Sequence, residues 1–229
     1  MQHRETAGAA DGARRVPAAV IARLPELLAI LDEASRQGTH TLSSDELALS
    51  IDVSGAMVRK DLSFLGFSGT RGIGFDVAAL RYQIAQVLDL NADRPVALVG
   101  CGHLGRALVA YPGFAAQGFR IAAAFDCDPS IIGSRVGGCE ELPVHDVSLL
   151  ETVIATAGIR MAILAVPATS AQAISDRLVA AGVVGLLNFA PVSLVVPPAV
   201  RVRRTDLAAE LQILAFHARH PGTAASVMA

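Results

Sequence analysis

The chain has 229 residues, 52% of them hydrophobic and 17% charged, which allows one large or two small domains and excludes an intrinsically disordered polypeptide. Its formal net charge of -2 gives no overall sign of nucleic-acid binding, so any DNA contact has to come from a local patch. The three cysteines, Cys101, Cys127 and Cys139, lack paired spacing, which argues against a disulfide framework or a metal site and is typical of a reducing cytosol.

The first part of the chain has the pattern of a small helical domain. Residues 1–17 are predicted to form a flexible arm without a signal peptide, because charges of both signs occur in it. Apolar residues at helical spacing predict a first helix over 20–37. Capping residues open a second helix over 43–49 and a third over 54–65. A short turn between the last two helices indicates a helix-turn-helix.

A glycine-rich segment follows, and it completes the pattern of a winged helix. Glycines alternate with apolar residues over 66–75, which predicts a tight hairpin or wing, and a connector helix is expected over 77–88. The outward side of the third helix carries small and basic side chains, which suit the major groove of DNA. The predicted DNA-binding residues are Ser54, Ala56, Arg59, Lys60, Ser63, Arg71 and Gly72. Residues 1–90 nevertheless hold nine Lys/Arg and eleven Asp/Glu, so a protein-interaction module stays an alternative.

From Pro95 onward the pattern changes to strands that alternate with helices, which predicts a doubly wound parallel sheet of the α/β Rossmann class. Strands are expected at 96–99, 119–125, 161–166 and 183–189, and helices from the glycine loop to about 116, over 170–181 and over 206–219. We predict a winged-helix domain with an N-terminal arm over 1–90 and a Rossmann domain over 91–205. A C-terminal helix and tail follow over 206–229.

The strongest motif is a dinucleotide fingerprint. Gly100, Gly102 and Gly105 form G-x-G-x-x-G between a strand and a helix, and Asp126 ends the next strand. We expect Gly100 to allow a tight turn, Gly102 to let a pyrophosphate approach the backbone, and Gly105 to allow close packing. The loop residues Cys101, His103 and Leu104 belong to the same predicted site. Asp126 is predicted to accept hydrogen bonds from the adenosine ribose and to prefer NAD(H) over NADP(H), because its carboxylate repels a 2′-phosphate.

Other functions are open at this point. An NAD-dependent oxidoreductase would need a second domain for its substrate, and none is apparent. A CoA- or nucleotide-binding subunit is disfavoured by Asp126.

Residues 182–200 lack charge, but their three prolines argue against a membrane helix, and two strands around a turn at 188–191 are predicted instead.

The sequence resembles the Rex family of redox-sensing repressors over about residues 16–218. The segments that carry the resemblance are VRKDLS (58–63), RGIGF (71–75), LVGCGHLGRAL (98–108), FDCDP (125–129), LNFAP (187–191), DL (206–207), ELQ (210–212) and RLP (23–25). Four positions depart from the usual family pattern: Met57, Thr70, Phe75 and His103.

The resemblance implies a cytoplasmic homodimer that binds palindromic operator DNA when NADH is scarce and releases it when NADH binds, without catalysing a reaction. It implies further dinucleotide contacts from Val166, Pro167, Asn188, Phe189 and Tyr111. It also implies that the C-terminal helix is exchanged between subunits. The residues Arg23, Tyr111 and Asp206 are expected to couple NADH to DNA release, with Asp206 pairing with Arg23 in one state and with Tyr111 in the other.

Overall fold

The computed structural model describes residues 16–90, 92–137 and 141–220, which form two compact units divided at residues 91 and 92. The predicted N-terminal arm and Cys139 lie outside the described residues, except that Val16 and Pro17 are described. Among the described residues, no helix combines the length and the hydropathy that a membrane span requires.

The first unit contains the three predicted helices, which are α1 (Ala18–Arg36), α2 (Ser44–Leu49) and α3 (Gly55–Phe64). The capping box is present: the Ser43 hydroxyl accepts from the Glu46 amide, and the Glu46 carboxylate accepts from the Ser43 amide. Ser54 caps α3 with a single hydrogen bond, which its hydroxyl accepts from the Met57 amide. Leucines of α1 and the apolar side of α3 share one core, so the helix-turn-helix prediction is confirmed.

The wing is a tight turn closed by one antiparallel bridge between Thr70 and Gly74. The sequence did not predict the next pairing: β2 (Phe75–Asp76) pairs with β1 (Thr41–Leu42), which lies between α1 and α2. Gly74 is required there, because a Cβ atom would lie 2.3 Å from the Leu42 carbonyl oxygen. Asp76 then caps the connector helix α4 (Val77–Val87).

The second unit is built on a seven-stranded sheet with the order β5-β6-β4-β3-β7-β8-β9. The strands are β3 (Arg94–Val99), β4 (Phe119–Asp126), β5 (Arg135–Val136), β6 (Leu142–Asp146), β7 (Met161–Leu164), β8 (Gly185–Asn188) and β9 (Arg201–Arg204). All neighbours are parallel except β5 and β6. Alternate residues of the strands supply two apolar clusters, one for each face of the sheet. The predicted doubly wound parallel sheet is confirmed.

The helices of this unit are α5 (His103–Val109), α6 (Pro112–Ala116), α7 (Leu150–Thr156), α8 (Ala168–Ala180) and α9 (Leu207–Arg219). The single helix predicted up to residue 116 is therefore wrong. The chain instead forms two helices that divide at Tyr111. Pro112 disfavours the helical conformation of the residue before it, so Pro112 can only begin a new helix. The second strand expected after the 188–191 turn is also wrong: residues 191–200 are irregular, and β9 starts only at Arg201.

Helix α9 is apolar and exposed. None of its residues is buried, and its five large apolar side chains are each more than half exposed. They are Leu207, Leu211, Ile213, Leu214 and Phe216. Exposed apolar side chains grouped in this way are typical of an interaction surface.

Candidate dinucleotide site and nucleic-acid interface

The glycine loop has the geometry that the motif predicts. Gly100 directly follows β3 and has φ of +97°, in the left-handed region that favours glycine. A Cβ atom on Gly105 would lie 1.9 Å from the Gly100 carbonyl oxygen, so only glycine allows α5 to pack against the turn. At Gly102 an added Cβ would meet nothing within 4 Å. The loop is thus closed by Gly100 and Gly105 and open at Gly102, which fits the approach of a pyrophosphate.

Asp126 is tied to this loop through its carboxylate. Oδ2 accepts a hydrogen bond of 2.6 Å from the Cys101 amide, and Oδ1 accepts bonds of 2.7 and 3.0 Å from the Cys127 and Asp128 amides. A carboxylate has about four lone-pair directions, and three are occupied, so one remains for a ribose hydroxyl. The half-buried Asp126 therefore fits both roles, holding the loop and reading the ribose.

The thiol of Cys101 is directed away from solvent. The side chain is fully buried, and Sγ lies 3.6 Å from the Phe125 carbonyl oxygen. Burial, together with the nearby charge of Asp126, raises the pKa of Cys101 to about 11. Cys127 is exposed on the other side of Asp126. The Cys101 thiol is thus protonated and unreactive at neutral pH.

The other predicted dinucleotide residues follow neighbouring strands at the same edge of the sheet. Val166 and Pro167 come after β7, and Pro167 is the N-cap residue directly before α8. Asn188 ends β8 and is 1% exposed; its side chain bonds the backbone of Ala190 and Val192, which shapes the turn that contains Phe189. Carboxyl ends of parallel strands on both sides of a switch point are where nucleotides bind in such sheets.

Tyr111 is placed differently from these residues. It follows α5, and five residues, 106–110, separate it from Gly105 of the glycine loop, which corresponds to roughly 9 Å along a helix. Its ring is 56% exposed and packs edge-on against Phe114 with centroids 5.2 Å apart. The ring contact described for Tyr111 is therefore with Phe114 and not with the glycine loop, and its contact with the dinucleotide stays a prediction.

The predicted DNA-binding residues are all exposed in the first unit. Val58 and Leu62 of α3 are fully buried, whereas Ala56, Lys60 and Ser63 are exposed, as the helical wheel predicts. The carbonyl of Lys60 accepts a hydrogen bond from the Ser63 hydroxyl, but its ammonium group makes no hydrogen bond or ion pair with a described residue and is free to contact a nucleic acid.

The remaining members of the predicted DNA-binding set differ in how firmly they are held. Arg59 is anchored, because Nη1 donates to the hydroxyl of Ser44 at the start of α2. Ser54 uses its hydroxyl to cap α3. Arg71 and Gly72 are exposed at the tip of the wing, where Gly72 has φ of +81°. The basic groups of the helix and wing thus have different freedom to adjust to a ligand.

The predicted coupling residues have local partners in this structure. The Arg23 Nε donates to Asp61 Oδ2 at 2.6 Å. Asp206 caps α9 through the Ala208 amide and pairs with Arg204 at 2.5 Å. The pairing of Asp206 with Arg23 or Tyr111 stays a prediction. Asp61, which was not among the predicted site residues, is buried in α3, and a buried acid requires a cationic partner.

Comparison with known protein families divides the chain in the same way. Residues 15–63 match the family described as "Putative DNA-binding protein N-terminus", and residues 91–192 match a "CoA binding domain". These two matches correspond to the helix-turn-helix and to the greater part of the parallel sheet.

Whole-chain relatives are more specific. A redox-sensing transcriptional repressor Rex of Streptomyces avermitilis is 50% identical, covering 91% of this chain and 81% of the relative. Rex of Desulfitobacterium hafniense is 45% identical, covering 89% and 95%. Crystal structures of RSP, a Rex-family repressor, include a complex with β-NADH (TM-score 0.82, 31% identity, 90% and 96% covered) and one with β-NAD+ and operator DNA (TM-score 0.81, 32% identity, 90% and 94% covered). The chain therefore belongs to the Rex family of redox-sensing transcriptional repressors.

Proposed function

We propose that this protein represses transcription in response to the NADH/NAD+ ratio, binding palindromic operator DNA when NADH is low and releasing it when NADH binds. The observation that carries the proposal is the glycine loop tied to Asp126, in a chain whose other unit presents the free Lys60 on a helix-turn-helix. The family relationship assigns the dinucleotide the role of effector, because the relatives are named repressors. Such a regulator acts in the cytoplasm.

The dinucleotide would be held by the open backbone at Gly102, by Asp126 at the ribose, and by residues after β7 and β8. When bound, the nicotinamide ring reports its oxidation state through its charge and planarity. The protein's own task is to bind the two forms with different affinity in its two conformations, because a ligand shifts an equilibrium only by that difference. A tenfold shift requires about 1.4 kcal/mol.

The test is an electrophoretic mobility shift of a palindromic duplex, titrated with NADH, NAD+, NADPH and CoA. We expect NADH to release the DNA at the lowest concentration. CoA is included because residues 91–192 match a CoA-binding family. Release by CoA and not by NADH would contradict the assignment of the ligand, and turnover of NADH with a small carbonyl compound would indicate an oxidoreductase instead.

The proposed assembly is a homodimer with exchanged C-terminal helices. The support is α9, whose large apolar side chains are 53–66% exposed in the single chain. Each such side chain, if fully buried, contributes about 1.5–3 kcal/mol. Sedimentation equilibrium of the wild type and of Leu211→Glu tests this: we expect a dimer for the wild type and a weaker dimer for the variant. A monomeric wild type at micromolar concentration would contradict the proposal.

The coupling of NADH to DNA release is proposed to use Arg23, Tyr111 and Asp206. Because Asp206 also caps α9, alanine at this position would remove a helix cap as well as a charge. Asp206→Asn is the sharper variant, since asparagine is an equally good cap but carries no charge. We expect Asp206→Asn to bind NADH and operator but to release DNA less completely at saturating NADH. Unchanged release in both Asp206→Asn and Arg23→Ala would exclude this route.

A further inference from the structure

One buried carboxylate in the first unit has no part in the function described so far. Asp61 lies on the recognition helix α3, and its side chain is 3% exposed. Its Oδ2 accepts the 2.6 Å hydrogen bond from Arg23 Nε, and its Oδ1 accepts no hydrogen bond from a described residue. A charge at this depth is tolerated only with a partner, so Asp61 depends on Arg23.

Arg23 extends from α1 and is itself only 23% exposed. The hydrogen bond that Arg23 donates to Asp61 raises the pKa of Arg23, so its guanidinium stays charged. The rest of the contact between α1 and α3 is apolar, through a core that includes Leu24, Val58 and Leu62. Apolar packing is non-directional, whereas this charged hydrogen bond fixes one atom of α3 to one atom of α1.

Asp61 follows Lys60 directly and lies two residues before Ser63, and both of these face outward. A rotation of α3 that stretched the Arg23–Asp61 bond would therefore move the outward residues by a comparable angle. Base recognition depends on that angle, because donors have to meet base edges at hydrogen-bond distance. Contacts with phosphates depend on it much less, since they are largely electrostatic.

We propose that Asp61 is a positioning residue for operator recognition, which sets the orientation of α3 through Arg23 without touching DNA. This inference rests on the proposed DNA-binding function. It implies that the pair contributes to the preference for the operator over other sequences, and not to general affinity for DNA.

The experiment measures binding by fluorescence anisotropy to two duplexes of equal length, one selected by the wild type from a randomised palindromic library and one of scrambled sequence, at three salt concentrations. The variants are Asp61→Asn, Arg23→Gln, their double variant, and the pair-replacing variant Arg23→Met/Asp61→Leu. The matched control is Asp32→Asn/Arg81→Gln, which removes a more exposed ion pair between α1 and α4.

For Asp61→Asn we expect at least tenfold weaker binding to the selected duplex, unchanged binding to the scrambled duplex, and an unchanged salt dependence. Arg23→Gln leaves the carboxylate buried without its partner, so this variant should bind the selected duplex more weakly than Asp61→Asn does. The double variant should recover its binding to the level of Asp61→Asn. The control should bind both duplexes within about twofold of the wild type, because exposed pairs contribute little.

The apolar pair separates positioning from folding. Replacing a buried ion pair by apolar residues of similar volume is often neutral or stabilising. We therefore expect Arg23→Met/Asp61→Leu to keep its melting temperature and still lose preference for the selected duplex. Wild-type preference in this folded variant would overturn the inference. Equal losses of affinity for both duplexes would overturn it too. So would a salt slope reduced by about one in Arg23→Gln, because that reduction indicates a phosphate contact. A wild type that selects no duplex would overturn the proposed function together with this inference.

Discussion

Replacing Asp126 with alanine tests the dinucleotide site at its most specific residue. The change removes the acceptor of three backbone amides, of which the Cys101 amide is the least accessible to water, and it removes the remaining acceptor direction that a ribose hydroxyl would use. We expect the affinity for NADH to fall, because the acceptor for the ribose hydroxyl is lost. We also expect the preference for NADH over NADPH to decrease, because the carboxylate that repels a 2′-phosphate is removed.

The size of both effects follows from the geometry. A hydrogen bond to a charged group contributes about 1.5–3 kcal/mol, so NADH affinity should fall by roughly 10- to 150-fold. Two unit charges about 4 Å apart repel by about 1 kcal/mol in water and about 4 kcal/mol near a protein surface. Because Asp126 is half-buried, the true repulsion lies between these limits, and the NADH/NADPH ratio should fall by about 10- to 100-fold.

The assay is the fluorescence of the reduced nicotinamide, which suits this chain because it contains no tryptophan. NADH and NADPH carry the same fluorophore, so one titration format gives both affinities. The matched control is Asp128→Ala, whose carboxylate bonds only to Ser130 among the described residues. Asp128→Ala should keep the wild-type ratio. An unchanged NADH/NADPH ratio in Asp126→Ala would refute the placement of the ribose at this carboxylate.

Three further predictions concern single residues. Lys60→Ala should weaken operator binding by roughly 1–3 kcal/mol in a gel shift if the ammonium reads a guanine, and wild-type affinity would exclude a base or phosphate contact there. Arg177 lowers the pKa of Glu151 to about 2, so this pair stabilises the fold above the ordinary carboxyl pKa of about 4.3 and ceases to do so as the pH falls toward 2. Glu151→Gln should therefore lower the melting temperature at pH 6 but not at pH 2, and an equal effect at both pH values would contradict the reasoning. Burial and the raised pKa of Cys101 predict that iodoacetamide at pH 8 modifies Cys127 and spares Cys101, as read by peptide mass spectrometry; rapid modification of Cys101 would show that the loop opens.

Local signals in the sequence were sufficient for much of this fold. The capping box at Ser43, the cap at Ser54 and the glycine loop all act through residues within a few positions of each other, and the structure has each of them as predicted. The strand that ends in Asp126 was likewise evident, since a buried apolar run precedes an acid.

The elements that sequence reasoning did not predict are short, polar or dependent on distant partners. Strand β9 consists of three arginines and one valine, and only its position at the edge of the sheet makes such a composition tolerable. Strand β6 contains Pro143 and two polar residues, which hide its pattern. The Arg23–Asp61 pair joins positions 38 residues apart, and no local pattern indicates such a pairing.

The hydrogen bond between Asp126 and Cys101 joins the two parts of the dinucleotide fingerprint, the phosphate loop and the ribose acceptor. Cys101 belongs to the loop after β3, whereas Asp126 ends β4, and these strands are neighbours in the sheet. The carboxylate therefore holds the loop in place before any ligand arrives, which lowers the entropic cost of binding. It follows that substitutions at Asp126 should affect the phosphate loop as well as the ribose, and that Asp126→Asn, which retains an acceptor for the Cys101 amide, should lose less NADH affinity than Asp126→Ala. Equal losses in the two variants would show that the charge at the ribose matters and that the tie to the loop does not.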